Sequence, residues 1–157
     1  MVGTRSEQGG IIKDGAKMVN AVANSTVPKF TFIVGNSYGA GNYAMCGKAY
    51  DPRLIFAWPS AQIAVMGGKQ ASETLLSIKL QQIEKGTHHV SKEEQEKLLK
   101  EIQARYNSEL DPLVAASRLW VDGIIDPAET RSIISRGIEM SSNNSQIPKF
   151  NPGVIQV

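Results

Sequence analysis

Residues 30–46 read Phe-Thr-Phe-Ile-Val-Gly-Asn-Ser-Tyr-Gly-Ala-Gly-Asn-Tyr-Ala-Met-Cys. The apolar, β-prone run 30–34 predicts a buried strand, and the small residues from Ala40 onward predict a helix through Met45. Three glycines lie between the strand and the helix or open the helix: Gly35, Gly39 and Gly41. The first N–H groups of a helix lack internal partners, and glycine keeps side chains away. The stretch therefore predicts an anion or oxyanion site.

Composition places the chain among small intracellular domains. Its 157 residues are enough for one core, and 41% hydrophobic with 20% charged residues is typical of a globular protein. A net charge of +2 gives no indication of nucleic-acid or membrane-surface binding. The single cysteine, Cys46, excludes an internal disulfide. Neither a membrane-length apolar run nor the apolar segment of a signal peptide is present.

Strands and helices alternate along the rest of the chain, which predicts an α/β fold. We expect strands at 54–58 and 62–66 and helices at 11–25, 69–83, 91–106 and 126–138. Ser91 and Glu94 form a capping-box pattern before the third of these helices, and 86–90 is expected to be a loop. A further helix starts at Asp111-Pro112 and carries the apolar residues Leu113, Ala116, Leu119 and Trp120.

The first interpretation of the glycine turn is a nucleophile elbow. Residues 35–39 match G-x-S-x-G, with Ser37 as the nucleophile of a serine hydrolase. That mechanism needs a histidine downstream of an acid. The only histidines are His88 and His89 in the predicted loop, and the only acid between Ser37 and them, outside residues 69–85, is Asp51. The motif has three fixed positions and is a weak signal.

A second interpretation is a dinucleotide-binding turn, because residues 39–44 match G-x-G-x-x-A. This motif requires an acidic residue at the end of the next strand, about 20 residues on. The predicted strand 54–58 ends in Trp-Pro-Ser instead. The third interpretation is an oxyanion hole made of backbone amides alone. The glycines by themselves favour a tight turn with close helix packing over a ligand site.

Six short segments spread over residues 1–130 carry a family pattern. They are Gly15-Ala16-Lys17-Met18-Val19, Val27-Pro28-Lys29-Phe30, Gly35-Asn36-Ser37-Tyr38-Gly39-Ala40-Gly41-Asn42-Tyr43, Trp58-Pro59, Ile63-Ala64-Val65-Met66-Gly67-Gly68 and Asp122-Gly123-Ile124-Ile125-Asp126-Pro127. In this order they resemble the C-terminal half of the carboxyltransferase (beta) subunit of biotin-dependent acyl-CoA carboxylases. The Asn-Tyr after Gly-Ala-Gly, followed by Met-Cys-Gly, is more similar to the methylcrotonoyl-CoA branch than to the propionyl-CoA branch.

The resemblance implies a crotonase (ClpP/crotonase-like) fold of ββα repeats. Residues 1–140 are expected to form a C-terminal carboxyltransferase domain that is truncated at its N-terminus, and 141–157 a polar tail. Ala40 and Gly41 are the implied catalytic residues, whose amides form an oxyanion hole for the biotin ureido oxygen. The implied biotin-binding residues are Gly39, Ala40, Gly41, Gly67 and Gly68, and the implied substrate-binding residues are Tyr43 and Met66.

The resemblance also implies the chemistry and the partners. Carboxybiotin, carried on a partner subunit, would give its carboxyl group to an acyl-CoA without a metal in this chain. The expected partners are the acyl-CoA, a biotin carboxylase or biotin carrier subunit and further carboxyltransferase subunits, in the bacterial cytoplasm or the mitochondrial matrix. The acyl-CoA side belongs to another domain, so we expect no activity from this chain alone. The alternative is a non-catalytic scaffold of the same fold.

Overall fold

The computed structural model describes residues 3–84 and 91–151. The α-helices in these ranges are α1 (Thr4–Gln8), α2 (Ile11–Asn24), α3 (Gly39–Ala44), α4 (Gly68–Glu84), α5 (Lys92–Glu109), α6 (Pro112–Ser117) and α7 (Thr130–Ser142). The strands are β1 (Phe30–Ile33), β2 (Asn36–Tyr38), β3 (Leu54–Ala57), β4 (Gln62–Ala64) and β5 (Gly123–Ile124), and 3₁₀ turns occupy Lys48–Tyr50 and Pro127–Glu129. This mixture confirms the predicted α/β class.

Two consecutive ββα units organise the strands. The first unit is β1, β2 and α3, and the second is β3, β4 and α4. The first strands of both units pair in parallel, with Phe30 opposite Leu54. The second strands pair in parallel too, with Asn36 opposite Gln62. Because β2 and β4 pair in parallel, the turns that follow them lie at the same end of this two-stranded sheet. This is the ββα repeat that the family resemblance implies.

Strand β5 completes the larger sheet in the order β1-β3-β5. It pairs in parallel with β3, and Asp122 extends this pairing just before the strand. The Ile55 N–H donates to Asp122 Oδ2 at 2.7 Å, and the Asp122 N–H donates to the Ile55 carbonyl at 2.8 Å. Asp122 also lies 3.8 Å from the ammonium group of Lys48. One carboxylate thus joins two segments that are 67 residues apart.

The core follows from the alternation of side chains along the strands. In β3, Ile55 and Ala57 are buried, whereas Phe56 points to the other face and its ring lies 5.6 Å from that of Phe32. The buried cluster consists of Ile33, Ile55, Ala57, Ala61 and Val121, with Ile63, Ala116 and Ile124 packed against it. The core therefore lies on the face of the larger sheet that β4 and α6 cover.

Local capping signals are confirmed where the structure describes them. Ser91 Oγ accepts the Glu94 N–H at 3.2 Å, and Glu94 Oε2 accepts the Ser91 N–H at 2.9 Å, which is the predicted capping box. Asp111 caps α6 by accepting the Leu113 N–H at 2.8 Å, with Pro112 at the first helical position. The predicted loop 86–90 lies outside the described residues.

Other element boundaries differ from the prediction. Residues 36–38, expected as part of a turn, form strand β2 because β4 supplies a parallel partner. Helix α6 ends at Ser117, and Leu119, expected within it, has a left-handed φ of 59° and is 77% exposed. The last helix begins as a 3₁₀ turn and continues to Ser142. None of the helices in the described ranges has the length and apolar composition needed to cross a bilayer.

We expect Asp122→Ala to destabilise the fold by about 1.5–3 kcal/mol, since it removes a hydrogen bond to a charged group and leaves the N–H of buried Ile55 without its acceptor. Urea denaturation of the chain measures the change. Asp14→Ala is the matched control, because Asp14 makes an exposed i,i+3 pair with Lys17 that is worth about 0–1 kcal/mol. Equal losses in the two variants would contradict a structural role for Asp122.

Candidate functional site

The first glycine turn, where β2 passes into α3 at Gly39, is fixed by its contact with the end of the neighbouring strand β4. Gly39 has a φ of +53°, a conformation that favours glycine. A Cβ atom placed on Gly39 would lie 2.8 Å from the carbonyl oxygen of Val65, which follows the paired strand β4. The parallel pairing of β2 and β4 thus presses these two backbone segments together. Only a residue without a side chain fits between them.

The N-terminus of α3 presents backbone donors to open space. Tyr38 precedes the helix in an extended conformation, and no side chain of the described residues caps it. Ala40 and Gly41 lie in the first turn, where N–H groups have no partner within the helix. Both residues are exposed, and no atom of the described part of the chain lies within 4 Å of a Cβ placed on Gly41. The described part of the chain therefore leaves the first turn of α3 uncovered.

The second glycine turn joins β4 to α4 and is held by two tyrosines. Tyr38 donates its hydroxyl hydrogen to Gln62 Oε1 at 2.5 Å, and a Cβ on Gly67 would lie 3.5 Å from its ring. Tyr106 of α5 donates its hydroxyl hydrogen to the Met66 carbonyl at 2.9 Å. Tyr38, the residue just before the first turn, is therefore also a neighbour of the second.

The structure places the candidate residues on two surfaces. Gly39 contacts the end of β4 through Val65, and Gly67 packs on Tyr38. Gly68 instead faces α5, where a Cβ atom would lie 2.7 Å from Asn107 Oδ1. The two candidate substrate-binding side chains are accessible: Tyr43 is 52% exposed and Met66 is 38% exposed. Tyr43 follows Ala40 by three residues and therefore lies on the same face of α3.

Ser37 does not have the geometry of a nucleophile elbow. It lies in the middle of β2, whereas the nucleophile of an elbow occupies the strained strand-to-helix turn. Its hydroxyl donates to Asn42 Oδ1 at 2.9 Å and ties the strand to α3. His88 and His89, the candidate bases, lie outside the described residues. Ser37 is therefore explained as a local structural residue.

The chemistry available at the two turns is that of neutral backbone donors. Among residues 3–84 and 91–151, no group of three or more His, Cys, Asp and Glu side chains is arranged to hold a metal ion. Cys46 is buried with a φ of 65°, and its carbonyl accepts the Thr31 hydroxyl hydrogen at 2.7 Å. Its thiol donates a hydrogen bond to the Tyr50 carbonyl at 3.9 Å. The arrangement can stabilise negative charge on an oxygen atom without a titratable side chain.

Sequence reasoning missed the aromatic residues that hold the second turn. Tyr106 looked like one polar position near the end of a charged helix, and its partner Met66 is 40 residues away. No pattern of neighbouring residues in the sequence predicts such a long-range contact. Tyr38 had a better signal, since it lies between Ser37 and Gly39 in the stretch that decides the fold.

The comparisons with known proteins agree in one family. The family described as "Carboxyl transferase domain" matches residues 1–155. The chain is 48% identical over 151 residues to the probable mitochondrial methylcrotonoyl-CoA carboxylase beta chain of Drosophila melanogaster, and the match covers 96% of this chain and 26% of the relative. It is 46% identical over 143 residues to the biotin-dependent 3-methylcrotonyl-coenzyme A carboxylase beta1 subunit of Mycobacterium tuberculosis, covering 91% of this chain and 27% of that subunit.

Solved structures give the same result. The chain superposes on the beta subunit of P. aeruginosa geranyl-CoA carboxylase with a TM-score of 0.80 and 41% identity, covering 96% of this chain and 32% of the other. It superposes on transcarboxylase 12S, described as a hexamer assembly, with a TM-score of 0.77 and 35% identity, covering 96% and 27%. The chain spans between 26% and 32% of the length of these four proteins.

We expect Gly39→Ala to destabilise the chain. The left-handed φ alone costs alanine about 1–2 kcal/mol, and the clash with the Val65 carbonyl adds about 1–3 kcal/mol. Gly41→Ala is the matched control, because its Cβ enters open space in a helix, and it should leave stability unchanged or raise it by up to about 1 kcal/mol. Urea denaturation of both variants tests this, and equal stability of the two would refute the close approach.

Proposed function

Because the chain belongs to the carboxyl transferase domain family and has the crotonase-like fold of carboxyltransferase beta subunits, we propose that it supplies the biotin side of a carboxyltransferase active site. The reaction is transfer of a carboxyl group from carboxybiotin to an acyl-CoA, with methylcrotonoyl-CoA or a related compound as the substrate. The likeness to beta chains of methylcrotonoyl-CoA carboxylases supports this choice.

The observation that carries the proposal is the exposed first turn of α3. Two adjacent N–H groups, those of Ala40 and Gly41, lie at a helix N-terminus with open space beside Gly41. The ureido oxygen of biotin is a hydrogen-bond acceptor, so this donor set fits it. A neutral acceptor that gains negative charge during reaction is the case in which backbone donors are most effective.

Each residue then has a role that its position supports. Carboxybiotin supplies the carboxyl group and, once that group has left, a base for the α-proton of the substrate. The amides of Ala40 and Gly41 hold the ureido oxygen and stabilise the charge that develops on it, each donor being worth about 2.7–4 kcal/mol. Gly39 lets α3 approach β4, and we assign Tyr43, which is exposed on the same face of α3 as Ala40, to contact with the acyl chain.

In this proposal the second turn also contributes to the site. Gly67 immediately precedes α4 beside Tyr38, Gly68 opens α4 beside α5, and Met66 is partly exposed just before them. We assign Gly67 and Gly68 to the biotin side and Met66 to the substrate side. The packing of Gly68 against α5 makes its part mainly structural, since its Cα faces Asn107.

The whole reaction needs more protein than this chain. The chain spans about a quarter of the Drosophila beta chain, so we propose that the acyl-CoA side is contributed by the part of such a subunit that it does not match. The other partners are a biotin carboxylase or biotin carrier subunit and further carboxyltransferase subunits, as the hexamer of transcarboxylase 12S suggests. The related proteins are mitochondrial or bacterial, and we propose the mitochondrial matrix or bacterial cytoplasm accordingly.

A hybrid beta chain tests this function. In it, the present chain replaces the segment of the Mycobacterium tuberculosis beta1 subunit that it matches. We expect the hybrid beta chain to transfer a carboxyl group from carboxylated methylcrotonoyl-CoA to free biotin, and the isolated chain to show no transfer. Ala40→Val should lower transfer by about a hundredfold or more, because the added methyl groups crowd the donor amides.

Ala104→Val is the control for that substitution, since Ala104 is an exposed helical alanine of α5. A folded hybrid beta chain without any transfer would favour the scaffold interpretation over the enzyme. Full transfer by the Ala40→Val variant would remove Ala40 from the proposed site. Transfer by the isolated chain would show that the acyl-CoA side lies within these 157 residues.

Ser37→Ala separates the carboxyltransferase from a serine hydrolase. We expect transfer by the hybrid beta chain to change by less than about threefold, because only the hydrogen bond to Asn42 is lost. A hydrolase that used Ser37 would lose roughly 10⁶-fold in turnover. Hydrolysis of a p-nitrophenyl ester by the isolated chain, abolished in this variant, would support the hydrolase instead.

A further inference from the structure

The Met66 carbonyl lies between β4 and α4 and accepts a hydrogen bond from Tyr106, a residue of neither element. The first hydrogen bond of α4 runs from the Ala71 N–H to the Gly67 carbonyl at 3.0 Å. Met66 stands one residue earlier, and its carbonyl accepts the Tyr106 hydroxyl hydrogen at 2.9 Å. Helix α5 therefore fixes a backbone group of the second glycine turn.

This hydrogen bond also sets the direction of the neighbouring amide. The Met66 carbonyl and the Gly67 N–H belong to one planar trans peptide, so they point in opposite directions. With the carbonyl held toward Tyr106, the Gly67 N–H points away from it. A Cβ on Gly67 would meet the Tyr38 ring at 3.5 Å and Gln70 Oε1 at 2.9 Å, so both side chains pack beside this peptide.

Helix α5 contacts the turn at a second point. A Cβ on Gly68 would lie 2.7 Å from Asn107 Oδ1 and 3.5 Å from the side chain of Leu110, which is buried. Tyr106 and Asn107 are adjacent on α5, so the hydrogen bond to Met66 and the packing against Gly68 come from the same turn of that helix. The hydroxyl fixes peptide orientation, whereas the packing contact would persist without it.

We propose that Tyr106 is a positioning residue for the biotin side of the site. Its hydroxyl holds the Met66–Gly67 peptide in one orientation and thereby presents the Gly67 N–H as a donor toward the bound ligand. The proposal rests on the proposed function and deepens it. It assigns part of the affinity for biotin to a side chain on a helix outside both ββα units.

Tyr106→Phe removes the hydroxyl and keeps the ring. In the isolated chain we expect the amide hydrogen of Ala71 to exchange with deuterium about three- to tenfold faster, measured by NMR, because the start of α4 loosens. In the hybrid beta chain we expect KM for free biotin to rise by a similar factor, with kcat and KM for the carboxylated acyl-CoA unchanged. Tyr50→Phe removes a hydroxyl outside both turns and is the control.

The outcomes are separable. Faster exchange together with the selective rise in KM for biotin supports the proposal. Unchanged exchange at Ala71 overturns it, and so does faster exchange without any change in KM for biotin, which would leave Tyr106 a purely structural role. If the unsubstituted hybrid beta chain transfers nothing, the proposed function fails, and the exchange measurement alone then decides whether Tyr106 fixes the turn.

Discussion

The parallel pairing of β2 with β4 is the constraint on which the site depends. Three residues on each strand are in register, and this short ladder brings the ends of two ββα units to one place. Gly39 then lies so close to the Val65 carbonyl that a Cβ atom on it would clash with the carbonyl oxygen. The orientation of α3, and with it the exposure of the Ala40 and Gly41 amides, follows from a backbone-to-backbone contact. The backbone of this turn is therefore held by strand pairing and not by a side-chain cap.

Much of the fold was predictable because its signals are local. The apolar runs that became β1, β3 and β4, the capping box at Ser91 and the Asp111-Pro112 helix start each depend on residues within one turn or one strand. Strand β2 could not be predicted, because it is three residues long, lies between two glycines and exists through its pairing with β4. The left-handed conformation of Leu119, which ends α6 early, likewise has no local cause in the sequence.

The candidate site likewise has features that the sequence reveals and features that it does not. The glycines were visible because the proposed chemistry requires the absence of side chains, and the family resemblance supplied their proposed roles. The contacts that hold those glycines in place were not visible, since they join residues 24 and 40 positions apart. A site made of backbone donors has few titratable residues to reveal it. The side chains that support the two turns, such as Tyr38, Gln62 and Ser37, are ordinary polar residues in the sequence.

The sheet order has a consequence for how the chain behaves in solution. Strand β1 is paired with β3 along one side, and among the described strands none pairs with its other side. A groove of about 870 Å³ with a largely apolar lining runs along it, bordered by α2 and α3. An unpaired strand edge of this kind is a template for another extended backbone. Concentration-dependent self-association of the isolated chain would therefore start at β1, and a covering strand from another segment would suppress it.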